Sequence, residues 1–356
     1  MGVQQNIDRI LKKPISGERI TSEEAMLLLK EGDLLNIMQA ARDIRNQKLP
    51  PERTTYTLFR IINYTSNCKI MCNFCNYYHK VGSSKGKTLT PAEVISNLNE
   101  DYSRGVNQLF LQGGVNPELP YSYYLDMITA IRSHFGEHLQ IRAFSPVEIF
   151  HMARQSEQTI SQVIHDLKRA GVDSVPGAGA EILSDRMRSI LSPHKLSVQD
   201  WLSVMQLCHE NGLYGSANIV FGSDETLEEI VEHLRLIRDL QDKTGGFYAF
   251  IPWTFQKQTS RFKIRMVSSP EFLRVLGVCR LFLDNIDHIE ISLMVLGMGV
   301  GAIALHGGAD DISSVVIEEN VLQSHAPETE SEAKDFILNS GFIPTRRDFN
   351  YKIINK

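Results

Sequence analysis

Apolar positions along the chain follow two rhythms. Up to about residue 55 they recur at helical spacing. Thr21 opens T-S-E-E with Glu24 three residues on, a capping-box pattern, and Leu27, Leu28 and Leu29, then Leu34, Ile37 and Met38, follow at rough helical intervals. Pro50-Pro51 ends this region. From Leu58 the rhythm changes, and LFRIINYTS is a β-branched and aromatic run. Thr90-Pro91-Ala92-Glu93 then combines a capping box with proline at the first helical position. Further on, VNQLFLQGG, HLQIRAFSP, VDSVPGAGAE, YGSANIVFG, GGFYAFIPW, HIEISLMVLG and GVGAIALHGG read as strands, separated by helical stretches except before the last. Strands alternating with helices imply parallel pairing through right-handed crossovers. Eight units in about 250 residues fit an α/β fold, a (β/α)8 barrel of TIM type, with a six-unit open barrel as the competitor. The pattern divides the chain into a helical N-terminal extension over 1–55, a barrel core over 56–310 and a C-terminal extension over 311–356 packed on the barrel.

The distinctive residues gather at the ends of those strands. The cysteines follow the first, Gly113-Gly114 the second and Ser145 the third. Gly177 to Glu181 follow the fourth, Gly222 the fifth, Trp253 the sixth and His306-Gly307-Gly308 the eighth. Active sites of such barrels are built from the loops on that face.

Composition narrows the class. A hydrophobic fraction of 42% and a charged fraction of 22% are ordinary for a globular chain. A net charge of −5 offers no broad basic field for nucleic acid or an anionic membrane. No apolar run is long enough for a transmembrane helix, and the first twenty residues lack a signal-peptide core. Five cysteines, three of them close together, argue for a reducing cytoplasm over a disulfide framework.

Those three, Cys68, Cys72 and Cys75, are spaced C-x3-C-x2-C. Thiolates select iron–sulfur clusters, zinc or copper(I). A structural zinc site wants four ligands, and Cys208 and Cys279 lie far along the chain. A 4Fe–4S cubane normally takes four thiolates, so three leave one iron open to an external ligand. A zinc knuckle or a non-catalytic cluster would use the same cysteines.

The other candidates each carry a plainer reading beside the functional one. Gly113-Gly114 lets backbone approach a ligand or simply turns the chain. Ser145-Pro146-Val147-Glu148 is a helix cap whatever else it does. Glu181 could grip ribose hydroxyls and Arg188 clamp a carboxylate, with Arg186 a weaker candidate, or all three could be surface charges. Asn218 to Glu225, with Val220 and Gly222, is a core strand or a wall for a flat ring. Trp253 and Gln256 would line an aromatic barrel mouth suited to a ring-bearing substrate. His306 beside two glycines is a substrate contact or an ordinary buried histidine; Asp310, Glu318 and Glu319 follow it.

The cysteine pattern, C-x3-C-x-aromatic-C, resembles the signature of the radical SAM superfamily. The resemblance implies a 4Fe–4S cluster whose open iron is chelated by S-adenosylmethionine, giving a 5′-deoxyadenosyl radical. It also implies that Phe74 sits beside the adenine, the glycine pair beside the methionine amino group, and Ser145 near the ribose or methionine moiety. NIVFGSDE is similar to the superfamily's G-x-I-x-G-x-x-E adenine motif, with Asn218 replacing its first glycine. Beyond the cysteines, LQGGVNPELPYSYYLDMITAIR, LKRAGVDSVPGAGAEIL, LSPHKLSVQDWL, DKTGGFYAFIPWTFQ and IEENV together resemble the cyclic dehypoxanthine futalosine synthase family, from about residue 20 to about 345. Sister families are aminofutalosine synthase and the radical subunits of deazaflavin synthase. The implied reaction removes a hydrogen from the ribose of dehypoxanthine futalosine and joins that carbon to the benzoate ring, in menaquinone biosynthesis. The implied partners are that small molecule and a reduced flavodoxin or ferredoxin-type electron donor, with no nucleic acid and no membrane. At Ser223, Leu293, Leu296 and Gly307 the chain departs from the family pattern, as it does at Asp310. The resemblance puts these positions at the substrate pocket.

Overall fold

Where the helical preface stops at Pro50-Pro51, extended backbone begins. The computed structural model describes residues 2–256, 264–314 and 326–354. In it β1 (Arg53–Thr57) passes through Leu58 into β2 (Phe59–Asn63). There follow β3 (Gln108–Gln112), β4 (Gln140–Ala143), β5 (Gly215–Phe221) and β6 (Phe247–Thr254). The last three are β7 (His288–Ile289), β8 (Asp311–Ser314) and β9 (Ile343–Arg346). The ladders β2-β3-β4, β5-β6-β7 and β8-β1-β9 are all parallel. Single-residue bridges carry the pairing between them: Arg142 to Ser174, Val175 to Gly215, and Glu290 to Asp311. This is a TIM-type α/β fold.

The connecting helices form where caps and apolar stripes coincide. Thr21, Thr90 and Ser145 each close a capping box with the glutamate three residues on. The helix Leu227–Thr244 buries Ile230, Val231, Leu234 and Ile237 on one face, the spacing of an amphipathic helix against a sheet. The preface helix Leu34–Lys48 packs on the helix Ser269–Phe282. There a Cβ on Gly277 would meet Ile37 at 2.6 Å, so only glycine allows the approach.

The last unit differs from the expectation. SLMVLG and GVGAIALHGG, read as strand, form the helix Leu293–His306 with a kink at Gly297 (φ 70°). An uninterrupted apolar run has no period that separates buried strand from buried helix. The eighth strand comes instead from DISS at Asp311–Ser314, whose single apolar residue, Ile312, hides it from any hydrophobic pattern. The boundary drawn at 310 therefore falls just before a strand of the core, and β1 begins within the stretch 1–55 assigned to helix.

The chain end packs at the N-terminal ends of the strands. β9 pairs with β1, and the Gln108 amide donates to the Arg347 carbonyl. The Phe349 amide in turn donates to the side chain of Gln140. Arg347, 1% exposed, bonds Asp311 at 2.6 and 2.8 Å and Glu290 at 3.0 Å.

Candidate active site at the cysteine loop

The cysteines occupy the loop that leaves the C-terminal end of β2. Backbone bonds pin it: Cys68 N–H donates to His79 O (3.0 Å), Lys69 N–H to Val115 O (2.9 Å) and Asn73 N–H to Leu191 O (2.8 Å). Val115 N–H points at Cys68 Sγ at 3.3 Å, a donor suited to a thiolate. All three thiols are free; Cys72 is buried, and Cys68 and Cys75 are partly exposed. Burial pushes the Cys72 thiol up to about 11, against the pull of Lys195 and with the field of Glu181, Cys75 and Cys68 adding to the rise. Among the described residues no three His, Cys, Asp or Glu side chains converge at the spacing of a single metal ion. A cubane carries its ligands on separate irons, so its thiolates stand farther apart than those around one zinc. One pinned loop whose buried Cys72 feels the charge of both Cys68 and Cys75 fits that group.

Four non-glycine residues with left-handed backbone surround this loop and the cavity below it: Met71 (φ 54°), Phe144 (φ 62°), Glu181 (φ 41°) and Ser313 (φ 65°). Such strain concentrates at ligand sites.

Gly113 and Gly114 follow β3. A Cβ on Gly114 would lie 2.3 Å from Asn67 O and 2.8 Å from Cys68 Cβ; one on Gly113 would enter the Tyr64 ring at 2.8 Å. The pair is glycine because the cysteine loop lies against it. Both amides are used, Gly113 N–H to Glu148 (2.9 Å) and Gly114 N–H to Thr65 O (2.8 Å). Glu148 is a hub that the sequence showed only as half of a cap. One carboxylate oxygen accepts from Tyr64 O–H (2.7 Å) and Gly113; the other accepts from the amide (2.7 Å) and hydroxyl (2.6 Å) of Ser145. Ser145 is thus committed to its cap, 8% exposed.

Glu181 bonds Lys195 Nζ through both oxygens at 3.0 Å. Burial pulls the Lys195 ammonium down, but Cys72 and Glu181 together raise it above its ordinary value. Lys195 also stands over the Phe74 ring at 5.3 Å. The sequence singled out Arg188 as the cation here. Instead its guanidinium binds the carbonyls of Leu196, Gly179 and Ala180, which braces the glycine loop, and leaves Nη2 buried without a partner. Arg186 bonds Glu229 and Asp224. Lys195, enclosed in the PHKL turn, carried no signal beyond being a lone lysine between His194 and Leu196.

Below the loop lies a cavity of about 380 Å³ inside the strands. Phe59, Phe74, Phe110 and Trp253 give it aromatic walls, and Val220, Ile251 and Met294 add apolar ones. Gln112, Arg142, Asn218 and Glu290 are its larger polar groups, beside Ser216, Ser292, Ser313 and Ser314. Gln112 Oε1 and Asn218 Oδ1 are buried with no hydrogen-bond partner, two acceptors available to a ligand. Gly222 (φ 102°) turns the chain beside it; its amide donates to Glu225 at 2.6 Å, and a Cβ there would strike Val267 at 2.5 Å.

Several expected contacts lie elsewhere. His306 ends the helix Leu293–His306, bonds Ser340 O at 2.9 Å and packs on Phe342, next to β9 at the opposite end of the strands. It moved because the segment before it is helix. The Gln256 amide folds back on Thr254 (3.1 Å to carbonyl and hydroxyl), and Gln256 is not in the cavity wall. Of the positions that depart from the family pattern, Leu293 is buried against Gly301 and Gly307 faces Met38. Leu296 packs against the core, and Ser223 bonds Glu225. Asp310 is paired with Arg280 and His288. Ser292 and Met294 are the cavity residues from that region. Glu318, Glu319 and Asn320 lie outside the described residues.

Comparison with known proteins agrees with this geometry. Residues 62–237 match the radical SAM superfamily model, and residues 244–356 match the CofH/MqnC C-terminal region. Cyclic dehypoxanthine futalosine synthase of Halalkalibacterium halodurans is 34% identical over 98% of this chain and 95% of its own length. The protein of that name from Streptomyces coelicolor is 36% identical over 99% of this chain and 90% of its own. Aminodeoxyfutalosine synthase of Thermus thermophilus is 33% identical over 96% of this chain and 94% of its own. The crystal structure of HydG, a maturase of the [FeFe]-hydrogenase, shares the fold: TM-score 0.74 at 18% identity, over 96% of this chain and 75% of that one. The chain belongs to the radical SAM superfamily, in the branch carrying the CofH/MqnC C-terminal region, and is an enzyme whose cofactors are a 4Fe–4S cluster and S-adenosylmethionine.

Proposed function

We propose that this enzyme cyclises dehypoxanthine futalosine to its cyclic, spiro-fused product in menaquinone biosynthesis. The observation that carries the reading is similarity to two cyclic dehypoxanthine futalosine synthases along nearly the whole chain, including the half that builds the cavity's far wall. When bound, the cluster and S-adenosylmethionine supply a 5′-deoxyadenosyl radical. Cys68, Cys72 and Cys75 would hold the cluster, and Val115 N–H supports the first thiolate. Glu181 and Lys195, which satisfy each other in this structure, carry the charges that match the ribose hydroxyls and the carboxylate of the cofactor. Phe74, Val220 and Gly222 would flank its adenine, and the carbonyls of Gly113 and Gly114, which accept nothing among the described residues, suit its ammonium. Trp253 and the aromatic walls position the substrate ring and exclude water. The continuous run of parallel pairs and bridges supports a closed eight-stranded barrel around this cavity. No helix of the described residues is long and apolar enough to cross a membrane; we read the enzyme as cytoplasmic, reduced by a flavodoxin or ferredoxin-type donor.

The test is anaerobic reconstitution with iron and sulfide, then reduction with S-adenosylmethionine and dehypoxanthine futalosine. The expected result is 5′-deoxyadenosine together with a product lighter by the hydrogen atom removed and the proton and electron lost. Intact substrate beside accumulating 5′-deoxyadenosine would remove the assignment. The Thermus relative gives a second reading, aminodeoxyfutalosine synthase, which the same protein would reveal by making aminodeoxyfutalosine instead.

A further inference from the structure

We propose that Arg142 is the carboxylate anchor of the cavity, the residue that grips the benzoate end of the substrate and so sets its direction in the barrel. Arg142 lies on β4, in register with Phe110 on β3 and through it with Ile61 on β2, and all three line the cavity. It is 6% exposed and has no ion pair among the described residues. Its polar contacts are long and neutral: Nε–H to Ser174 Oγ at 3.3 Å and Nη2–H to Phe349 O at 3.4 Å. Phe349 supplies a ring 4.0 Å from the guanidinium carbon. Glu290, the carboxylate among the cavity-lining residues, is near enough to favour the Arg142 charge but does not bond it; its Oε2 accepts from Arg347 at 3.0 Å and from Tyr351 O–H at 2.9 Å.

A buried guanidinium that bonds no anion is costly to keep. Burial pushes Arg142 down only to about 10, so it stays cationic at neutral pH. Its planar fork matches a carboxylate in two parallel bonds.

The layering gives the ligand a direction. Gln112 lies two residues beyond Phe110 on β3, one step towards the cysteine loop. With Asn218 it presents the two unpartnered acceptors. A molecule with a carboxylate at one end, an aromatic ring in the middle and hydroxyls at the other would therefore lie with its hydroxyls nearest the cysteines. This rests on the proposed function for the sugar end, and not for the aryl carboxylate itself.

The test compares acid and carboxamide forms of 3-acetylbenzoate by calorimetry, and of dehypoxanthine futalosine by turnover, on wild type, Arg142→Gln and Arg142→Lys. Iron content and melting temperature are measured for each protein. Wild type is expected to prefer the acid by at least ~30-fold, Arg142→Gln to lose that preference, and Arg142→Lys to retain part of it as a point charge. A wild type that binds acid and amide alike overturns the proposal, as does an Arg142→Gln that still prefers the acid. If Arg142→Gln does not fold, the wild-type preference and its reduction in Arg142→Lys decide. Acid binding through Arg142 without turnover of dehypoxanthine futalosine sustains this inference and removes the proposed function alone.

Discussion

The pair Glu181–Lys195 offers the sharpest test of how the charges beside the cysteine loop are held. Both side chains are nearly enclosed, 11% and 8% exposed, with Nζ 3.0 Å from the carboxylate. At an effective dielectric near 20, charges at that separation attract by about 5 kcal/mol. Desolvating the two ions costs several kcal/mol each, so the intact pair contributes little net stability. Removing one partner is different, because the other remains buried without its counter-charge. Lys195→Met keeps the bulk and is expected to cost about 3–5 kcal/mol. In a chain of this size that lowers the melting temperature by roughly 4–7 °C. Lys195→Met/Glu181→Gln is expected to recover most of it, giving a coupling of about 2 kcal/mol or more in the double-mutant cycle. The sign with pH follows from the raised Lys195 value: its contribution is complete below about 10.5 and is lost as pH rises through the folded-state value. Thermal unfolding of the cluster-free proteins reads the stability; equilibrium dialysis of S-adenosylmethionine against the reconstituted ones reads the site. Lys195→Met melting within ~1 kcal/mol of wild type, or a double variant no better than the single, refutes the argument that these charges depend on each other.

Three further perturbations address other parts of the molecule. Gly114→Ala places a methyl 2.3 Å from Asn67 O, so the cysteine loop must shift; overpacking of about 1–3 kcal/mol and a large drop in bound iron are expected by melting and iron assay. Full iron content in that variant would show the contact to be tolerated. Buried His233 accepts a bond from Leu183 N–H at 3.0 Å, and burial depresses it from 6.5 to about 3. The unfolded chain therefore binds the extra proton first, and stability falls as pH drops from about 6.5 towards 3. His233→Asn keeps the acceptor and flattens that slope in urea titrations. Arg347→Met strands Asp311 and Glu290 together and is expected to cost about 3–5 kcal/mol, with the C-terminal segment opened to limited proteolysis.

The cysteine spacing, the caps at Thr21, Thr90 and Ser145, and most strand and helix identities were legible in the sequence. Each depends on residues within a turn or two of one another, where backbone bonding and side-chain period act alone. The last unit was not, because a continuous apolar run fits helix and strand equally until Gly301 meets Leu293 and Asp311 pairs with β1. That error carried His306 to the wrong end of the strands. The site's polar architecture was also beyond reach. Glu148 meets Tyr64 across 84 residues, Arg142 meets the Phe349 carbonyl across 207, and Lys195 meets Glu181 only because the loop that carries it folds back. A lysine, an arginine and a glutamate look alike on any surface; burial, which only the packed chain decides, makes their charges matter.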